Sequence, residues 1–208
     1  LVPREEIARA PENARLRVSP REIVSEAAGS YVDLYESAAN ARAACARGES
    51  TFDVATRAVL PSVRREYAEH IDAKEVVGRY ETYFSRKGDQ AQRGMNIDAA
   101  AAKLDGLILP PKRLVSFNDV VGERSEENGF HRSFEIYKGE MIEGIGGGTC
   151  QVATTFHAAA FFAGLDVPER LPHSRPSVYV PMGLDATVVF PIVDLKIKNP
   201  FNVPIVTR

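Results

Sequence analysis

The chain has 208 residues, 44% hydrophobic and 26% charged, with 26 Lys and Arg against 28 Asp and Glu and a pI near 6.1. That composition suits a globular chain with a sizeable core, and it carries neither the basic excess of a nucleic-acid binder nor a polybasic membrane footprint. The longest apolar candidate, AAAFFAGL, falls well short of the roughly 18 residues of a membrane span, and two cysteines, Cys45 and Cys150, allow one disulfide but no disulfide scaffold.

The opening LVPREEIARAPENARLRV has neither an initiator methionine nor a signal-peptide pattern, and reads as the start of an excised fragment. From Glu36, ESAANARAACARGES predicts a helix, with Ala38, Ala41, Ala44 and Cys45 on one face and Gly48 at the stop. Among such small residues Cys45 is expected to be a core thiol. Phe52, Val54, Thr56, Ala58 and Leu60 then alternate as a half-buried strand does, up to Pro61. IDAKEVVGRY predicts a short helix just after His70, which is read as a surface histidine, and SRKGDQAQRG reads as a solvated connection. NIDAAAAKLDG is a better helix: Asn96 is its expected cap, Ala99, Ala100 and Leu104 point inward, and Gly106 is its exit. After Pro110 and Pro111 the texture turns to strands and turns, with Phe134 and Ile136 alternating inward. His131 precedes that strand with no Cys or carboxylate at ligand spacing, so no metal and no cofactor is assigned.

The chemistry concentrates in GIGGGTCQVATTFHAAAFFAGL. Val152, Phe156, Ala159, Ala160 and Ala163 predict an amphipathic helix ending at Gly164, which puts Cys150 in its first turn. There the unsatisfied N–H groups and the helix dipole favour a thiolate. Gly146, Gly147 and Gly148, with Thr149 and Gln151, would supply N–H groups to an oxyanion or to a bound peptide. A nucleotide loop is not expected, because Thr149 stands where the dinucleotide fingerprint needs its third glycine and no G-K-[ST] is present. A thiolate needs a base. His157 lies seven residues on, about 10 Å up the helix axis, and is read as helix surface or interface. His173, held between Pro172 and Pro176 ahead of an expected strand, is the better candidate. For its carboxylate partner, a hairpin centred on Met182 and Gly183 would pair Asp185 with Val180 and bring Asp194 nearer to His173, while a bulge or bend would bring Asp185 back. From these residues alone, Cys-His catalysis and a structural glycine turn with a buried thiol both stand.

The same residues carry a resemblance. SFNDVVGERSEENGFHRSFEIYKGE, GIGGGTCQ with its paired threonines, AGL, ER, HS, YVP, GLDATV and DLKIKN, in that order over residues 80–208, resemble the VanW family. Residues 1–79, with Gly29 and Asp33, resemble a peptidoglycan-binding module that precedes VanW domains. The resemblance implies an α+β chain: a small α/β module over 1–79, then a VanW-like domain over 80–208 whose Cys-bearing helix packs on a mostly antiparallel sheet. It also implies an extracytoplasmic protein of the bacterial cell envelope, reaching the membrane only through a segment absent from this fragment. Its motif residues include Gly146, Gly147, Gly148, Cys150, Gln151, His173, Ser174, Tyr179, Asp185 and Asp194. His157 stands where the family usually has Asn, which supports treating it as incidental.

Two functions follow, and whether the chain is an enzyme stays open. In the first, Cys150 attacks an amide of a peptidoglycan stem peptide, His173 moves the proton, and Asp185 or Asp194 orients the ring, giving a peptidase or a transpeptidase. In the second, the glycine turn and HSRP line a groove that holds a stem peptide without cleaving it. Ser174, Arg175 and Tyr179 belong to that surface, and Arg170 and Arg175 would meet carboxylates.

Overall fold

The computed structural model describes residues 7–137 and 140–208, with the backbone alone for 134–137 and 140–142. The chain is α+β and divides into two units, Leu1–Ile71 and Asp72–Arg208. Residues 72–79, which the resemblance groups with the first module, fall in the second unit.

In the first unit, β1 (Arg15–Val18) and β2 (Arg21–Val24) form one antiparallel hairpin, and β3 (Gly29–Val32) pairs antiparallel with β4 (Thr56–Val59). The expected strand over 52–60 is therefore shorter than its alternation suggests, since Phe52 and Val54 are exposed ahead of it. Helix α1 (Leu34–Ala46) starts at Asp33, whose Oδ1 accepts from the backbone N–H groups of Tyr35 and Glu36, both at 3.0 Å. A side-chain acceptor there satisfies donors that the first turn leaves open. Asp33 Oδ2 also accepts from Arg57 Nε on β4 at 2.5 Å. The helix buries Ser37 and Ala44. Cys45 lies about 100° round from Ala44 and is exposed, so the expectation of a core thiol is corrected. Helix α2 (Arg65–Glu69) closes the unit over Leu16, Val63, Ala68 and Ile71.

The second unit begins with an extended strap, residues 72–86, where a helix was expected. Its Val76 and Val77 are exposed, so no apolar face favours a helix. What holds the strap is contact with the later Cys-bearing helix: a Cβ on Gly78 would come within 2.5 Å of the Ala159 carbonyl oxygen, and Thr82 Oγ1 meets Thr155 Oγ1 at 2.8 Å. After a 3-10 turn (Gly88–Gln90), helix α3 (Ala91–Leu104) starts well before Asn96. Asn96 is thus not a cap. It is fully buried in mid-helix, its Nδ2 donating to the carbonyls of His131 (3.0 Å) and Gly147 (3.0 Å) and its Oδ1 accepting from His131 N–H (2.7 Å).

Strands β5 (Ile108–Leu109) and β6 (Leu114–Ser116), short helix α4 (Phe117–Val121) and the hairpin of β7 (Arg132–Tyr137) with β8 (Glu140–Ile145) follow. The side chains of Phe134 and Ile136 lie outside the described ones. Then come helix α5 (Thr149–Phe162), β9 (Asp166–Glu169), β10 (Lys196–Lys198) and β11 (Ile205–Val206). β6, β10 and β9 make a three-stranded antiparallel sheet in that order, and β11 pairs with β5. The core gathers Ile97, Ala100 and Leu104 of α3, Val152, Ala153 and Ala160 of α5, and Phe117, Phe130, Val188, Leu195 and Ile197. Each large side chain among them contributes about 1.5–3 kcal/mol by leaving water. DLKIKN is read by this packing: Leu195 and Ile197 are fully buried in and beside β10, and buried Asn199 donates to the carbonyls of Leu109 (2.9 Å) and Val203 (2.8 Å).

Candidate functional site

Helix α5 ends as its sequence predicts. Gly164 has φ +73°, its N–H reaches the Phe161 carbonyl at 3.1 Å, and Leu165 N–H reaches that of Ala160 at 3.0 Å, the paired bonds of a Schellman turn. Its start is set by two glycines. Gly148 holds φ +106° at the cap and Gly146 φ +91°, a region that side-chain-bearing residues rarely adopt. A Cβ on Gly148 would lie 2.8 Å from Ile97 Cγ1, and one on Gly146 2.6 Å from Arg124 Cγ. Gly147 turns its carbonyl to Asn96 and to Ser133 Oγ (3.3 Å). The glycine turn therefore sets α5 against α3 and lets Arg124 lie over it.

Cys150, in the first turn of α5, is half-buried. Its Sγ donates to the Val188 carbonyl and accepts from Val188 N–H, each at 3.5 Å. One turn on, Thr154 Oγ1 makes the same pair with Ala186, donating at 3.2 Å and accepting at 2.9 Å. His157 Nδ1 then meets the Leu184 carbonyl at 2.8 Å. Positions i, i+4 and i+7 of one helix face thus clip alternate residues of the extended segment 184–188, because about 10 Å of helix rise spans nearly the length of that segment. His157 is only 3% exposed, which corrects its reading as helix surface. Burial, opposed by the Leu184 bond, holds its pKa below the usual histidine value.

No hairpin forms at Met182 and Gly183. Instead residues 171–173 run antiparallel beside 185–187, with Thr187 N–H on the Leu171 carbonyl at 2.8 Å. That pairing brings Asp185 to His173: its Oδ2 accepts from His173 N–H at 2.6 Å and meets His173 Nδ1 at 2.8 Å. A carboxylate there places the ring proton on Nδ1 and leaves Nε2 as the basic nitrogen. Burial raises the Asp185 pKa, but the bonds from His173 outweigh it and hold it below the ordinary aspartate value. Asp194 does not reach this pair. Its Oδ2 accepts from Ser116 Oγ at 2.5 Å and its Oδ1 from the N–H groups of Asn118 and Leu195, both at 2.9 Å. It fixes the start of α4, so its place beside His173 is corrected.

The imidazole and the sulfur have separate hydrogen-bond settings: the ring meets Asp185 and Ser177 Oγ (3.3 Å), the sulfur Val188. Burial raises the Tyr179 pKa, opposed by the Ser177 and Thr154 hydroxyls and by Arg93. A cavity of about 190 Å³ opens on the histidine side, lined by Pro172, His173, Arg175, Val180, Met182 and Asp185 among others. Ser174 and Arg175 are exposed beside it. Arg170 instead donates to the Gly183 carbonyl at 3.0 Å and lies 3.9 Å from Asp185 Oδ1, so it braces the loop.

Two arginines that the sequence did not single out pack on the glycine turn, Arg93 Cγ 3.2 Å from where a Cβ on Gly148 would be and Arg124 Cγ 2.6 Å from where one on Gly146 would be. Arg93 of α3 donates to Gln151 Oε1 at 2.7 Å, and Arg124 donates to the Gly122 carbonyl at 2.6 Å. Burial lowers the pKa of both, opposed by Tyr179 and Cys150 at Arg93 and by Cys150 and Asp194 at Arg124. Gln151, expected to face a ligand, is 2% exposed and gives its Nε2 to Thr82 Oγ1 and the Tyr83 carbonyl, each at 3.1 Å. It holds Arg93 and the strap in place, which corrects that expectation. Thr149 is likewise buried. No spacing rule marks Arg93 or Arg124: one sits in a stretch that reads as a polar connection, the other in GERSEENG.

The chain is a member of the family described as VanW like protein, whose model matches residues 92–208. It is 38% identical over 162 residues to the uncharacterized protein YoaR of Bacillus subtilis (strain 168), covering 78% of this chain and 52% of that protein. It is 25% identical over 115 residues to the vancomycin B-type resistance protein VanW of Enterococcus faecalis (strain ATCC 700802 / V583), covering 53% of this chain and 42% of that one. The chain therefore spans about half the length of the curated relatives it matches. No solved structure matches it. Among the described residues no helix is long and apolar enough to cross a membrane, and no group of three or more His, Cys, Asp or Glu could hold a metal ion.

Proposed function

We propose that the VanW-like unit works in the bacterial cell envelope by recognising peptidoglycan stem peptides along the surface from the His173 cavity to Cys150, without cleaving them. The observation that carries this reading is the cavity itself, walled by residues 172–185, stiffened by Pro172, Pro176 and Pro181, and holding a ready-made polar pair in Asp185 and His173. Concave sites with few fixed polar groups are the usual form of a ligand site. The likeness to a vancomycin B-type resistance protein points to wall peptides as the ligand class. The bonding of Cys150 favours recognition over turnover, since its sulfur occupies the same backbone-clipping role as the unreactive Thr154.

One observation favours a second reading, a thiol peptidase or transpeptidase: the Asp185–His173 pair leaves Nε2 available as a base. In that reaction Cys150 Sγ bonds to the stem-peptide carbonyl carbon while its proton passes to His173 Nε2. The C–N bond breaks, and the amine leaves with that proton. Water or a second amine then cleaves the thioester.

Incubation of purified chain with peptidoglycan digests, followed by pull-down and mass spectrometry, separates the two. Recognition predicts retained muropeptides, no new product, and equal retention by Cys150→Ala. A product that disappears in Cys150→Ala establishes the thiol reaction, and absence of both retention and product overturns the wall-peptide assignment.

A further inference from the structure

Segment 184–188 has two bonded sides of different kinds. On one side Thr187 N–H reaches the Leu171 carbonyl at 2.8 Å, as in an antiparallel pair. On the other, where a second neighbouring strand would stand, helix α5 supplies side chains. Thr154 Oγ1 donates to the Ala186 carbonyl and accepts from the Ala186 N–H, Cys150 Sγ does the same at Val188, and His157 Nδ1 meets the Leu184 carbonyl. Backbone groups of alternate residues point to opposite edges of an extended chain, so α5 holds the even-numbered residues while Thr187 faces Leu171. Asp185 stands between the two residues that Thr154 and His157 hold. Its carboxylate crosses to His173 N–H and Nδ1, at 2.6 and 2.8 Å. Thr154 and Ala186 are fully buried, and His157 and Asp185 nearly so, which keeps water from competing for these bonds.

We infer that Thr154 and His157 are positioning residues of the His173 site: by gripping the residues on either side of Asp185 they aim its carboxylate, which fixes the ring as the Nδ1–H tautomer and leaves Nε2 as an acceptor. This rests on the wall-peptide reading above and adds which side chains keep that site's histidine ready for its ligand. A neutral imidazole carries one donor and one acceptor, and the tautomer decides which of the two a ligand meets. His173 lines the cavity, and its ring bonds run to Asp185 Oδ2 and to Ser177 Oγ at 3.3 Å. Its neighbours Pro172 and Pro176 stiffen the loop but have no N–H with which to hold it. The ring therefore takes its bearing from Asp185, and Asp185 takes its own from α5. A ligand N–H finds the acceptor it needs only while that line of contacts is intact.

Nitrogen NMR of the imidazoles of the intact chain reads the tautomer directly, with the His173 signals assigned by their loss in His173→Gln. On the uncharged ring of the unaltered chain a single Nδ1–H form is expected. Thr154→Val keeps the shape of the side chain and removes both bonds to Ala186. It should mix the two tautomers and weaken binding of a fluorescent synthetic stem peptide about tenfold. Thr154→Ser, which keeps the hydroxyl, should restore both readouts. Thr155→Val, the same change one residue along α5, removes bonds to Thr82 and the Gln151 carbonyl and should alter neither readout, even where it lowers the melting temperature. Should Thr154→Val fail to fold, His157→Leu, which removes the Leu184 bond alone, is read in the same way and should give a smaller share of the second tautomer. An unchanged His173 tautomer in whichever of these two variants folds overturns the positioning role while leaving peptide recognition intact. Tautomer mixing in the variant, with no peptide bound by the unaltered chain, supports the positioning role and overturns the wall-peptide reading.

Discussion

The surface arginines of the first unit and the two beside the glycine turn of the second live under different electrostatic regimes. In the first unit Arg17, Arg47, Arg57 and Arg65 are exposed and each is paired with a carboxylate, of Glu22, Glu49, Asp33 and Glu69, at 2.9, 2.7, 2.5 and 2.9 Å. Beside the glycine turn of the second unit, Arg93 and Arg124 are partly desolvated and bond a side-chain amide and a backbone carbonyl. Matched surface charges add little to stability and imply nothing about ligands. Charges drawn partly out of water cost more than exposed pairs do, and at Arg124 the Asp194 carboxylate offsets part of that cost.

The comparison can be pressed at four points. The largest effect is expected at Asp194, the carboxylate that acts on Arg124. Asp194→Ala leaves the Asn118 and Leu195 N–H groups and the Ser116 hydroxyl without their acceptor, and denaturant unfolding should show a loss of about 3 kcal/mol. Next is Arg124→Met, which keeps contact with Phe117 and Phe190 but removes a partly buried charge. It should stabilise the ligand-free chain by on the order of 1 kcal/mol, and a lower melting temperature would mean that Arg124 is structural. Smaller is a pH effect at His157. Burial lowers its folded pKa, so below about pH 6.5 the unfolded chain takes up a proton that the folded chain refuses. Stability should therefore fall from pH 7.5 to 5.5, and His157→Gln, which keeps a donor to Leu184, should flatten that part of the melting-temperature profile. The smallest is Arg47→Ala in the first unit, where a matched surface pair is removed and the melting temperature should not measurably move.

How much of this was legible in the sequence depended on whether a residue acts through local pattern or through distant partners. Helix α5, its stop at Gly164 and the placing of Cys150 in its first turn follow from periodicity and glycine chemistry, and the structure agrees. The strap over 72–86 did not read correctly, because its conformation comes from Gly78 and Thr82 against α5 and not from its own apolar spacing. Asn96 looked like a cap because Asn suits that position, whereas its amide is used across the fold to pin His131 and Gly147. Strand alternation favoured Asp194 over Asp185 because it assumed a hairpin, and the actual pairing of 171–173 with 185–187 reverses that choice. Arg93 and Arg124 carry no sequence signature at all: an arginine's solvation is decided by what packs around it, and that is a property of the assembled fold.

The contacts of α5 with residues 184–188 tie the chemical state of one sulfur to the alignment of a distant carboxylate. Cys150 is the terminal rivet of three, and both of its bonds to Val188 span 3.5 Å, so any adduct larger than hydrogen on the sulfur must prise that end of the segment away. Asp185 sits three residues back along the same extended stretch, so a modified thiol reaches His173 through the backbone as a shift in the footing of its partner.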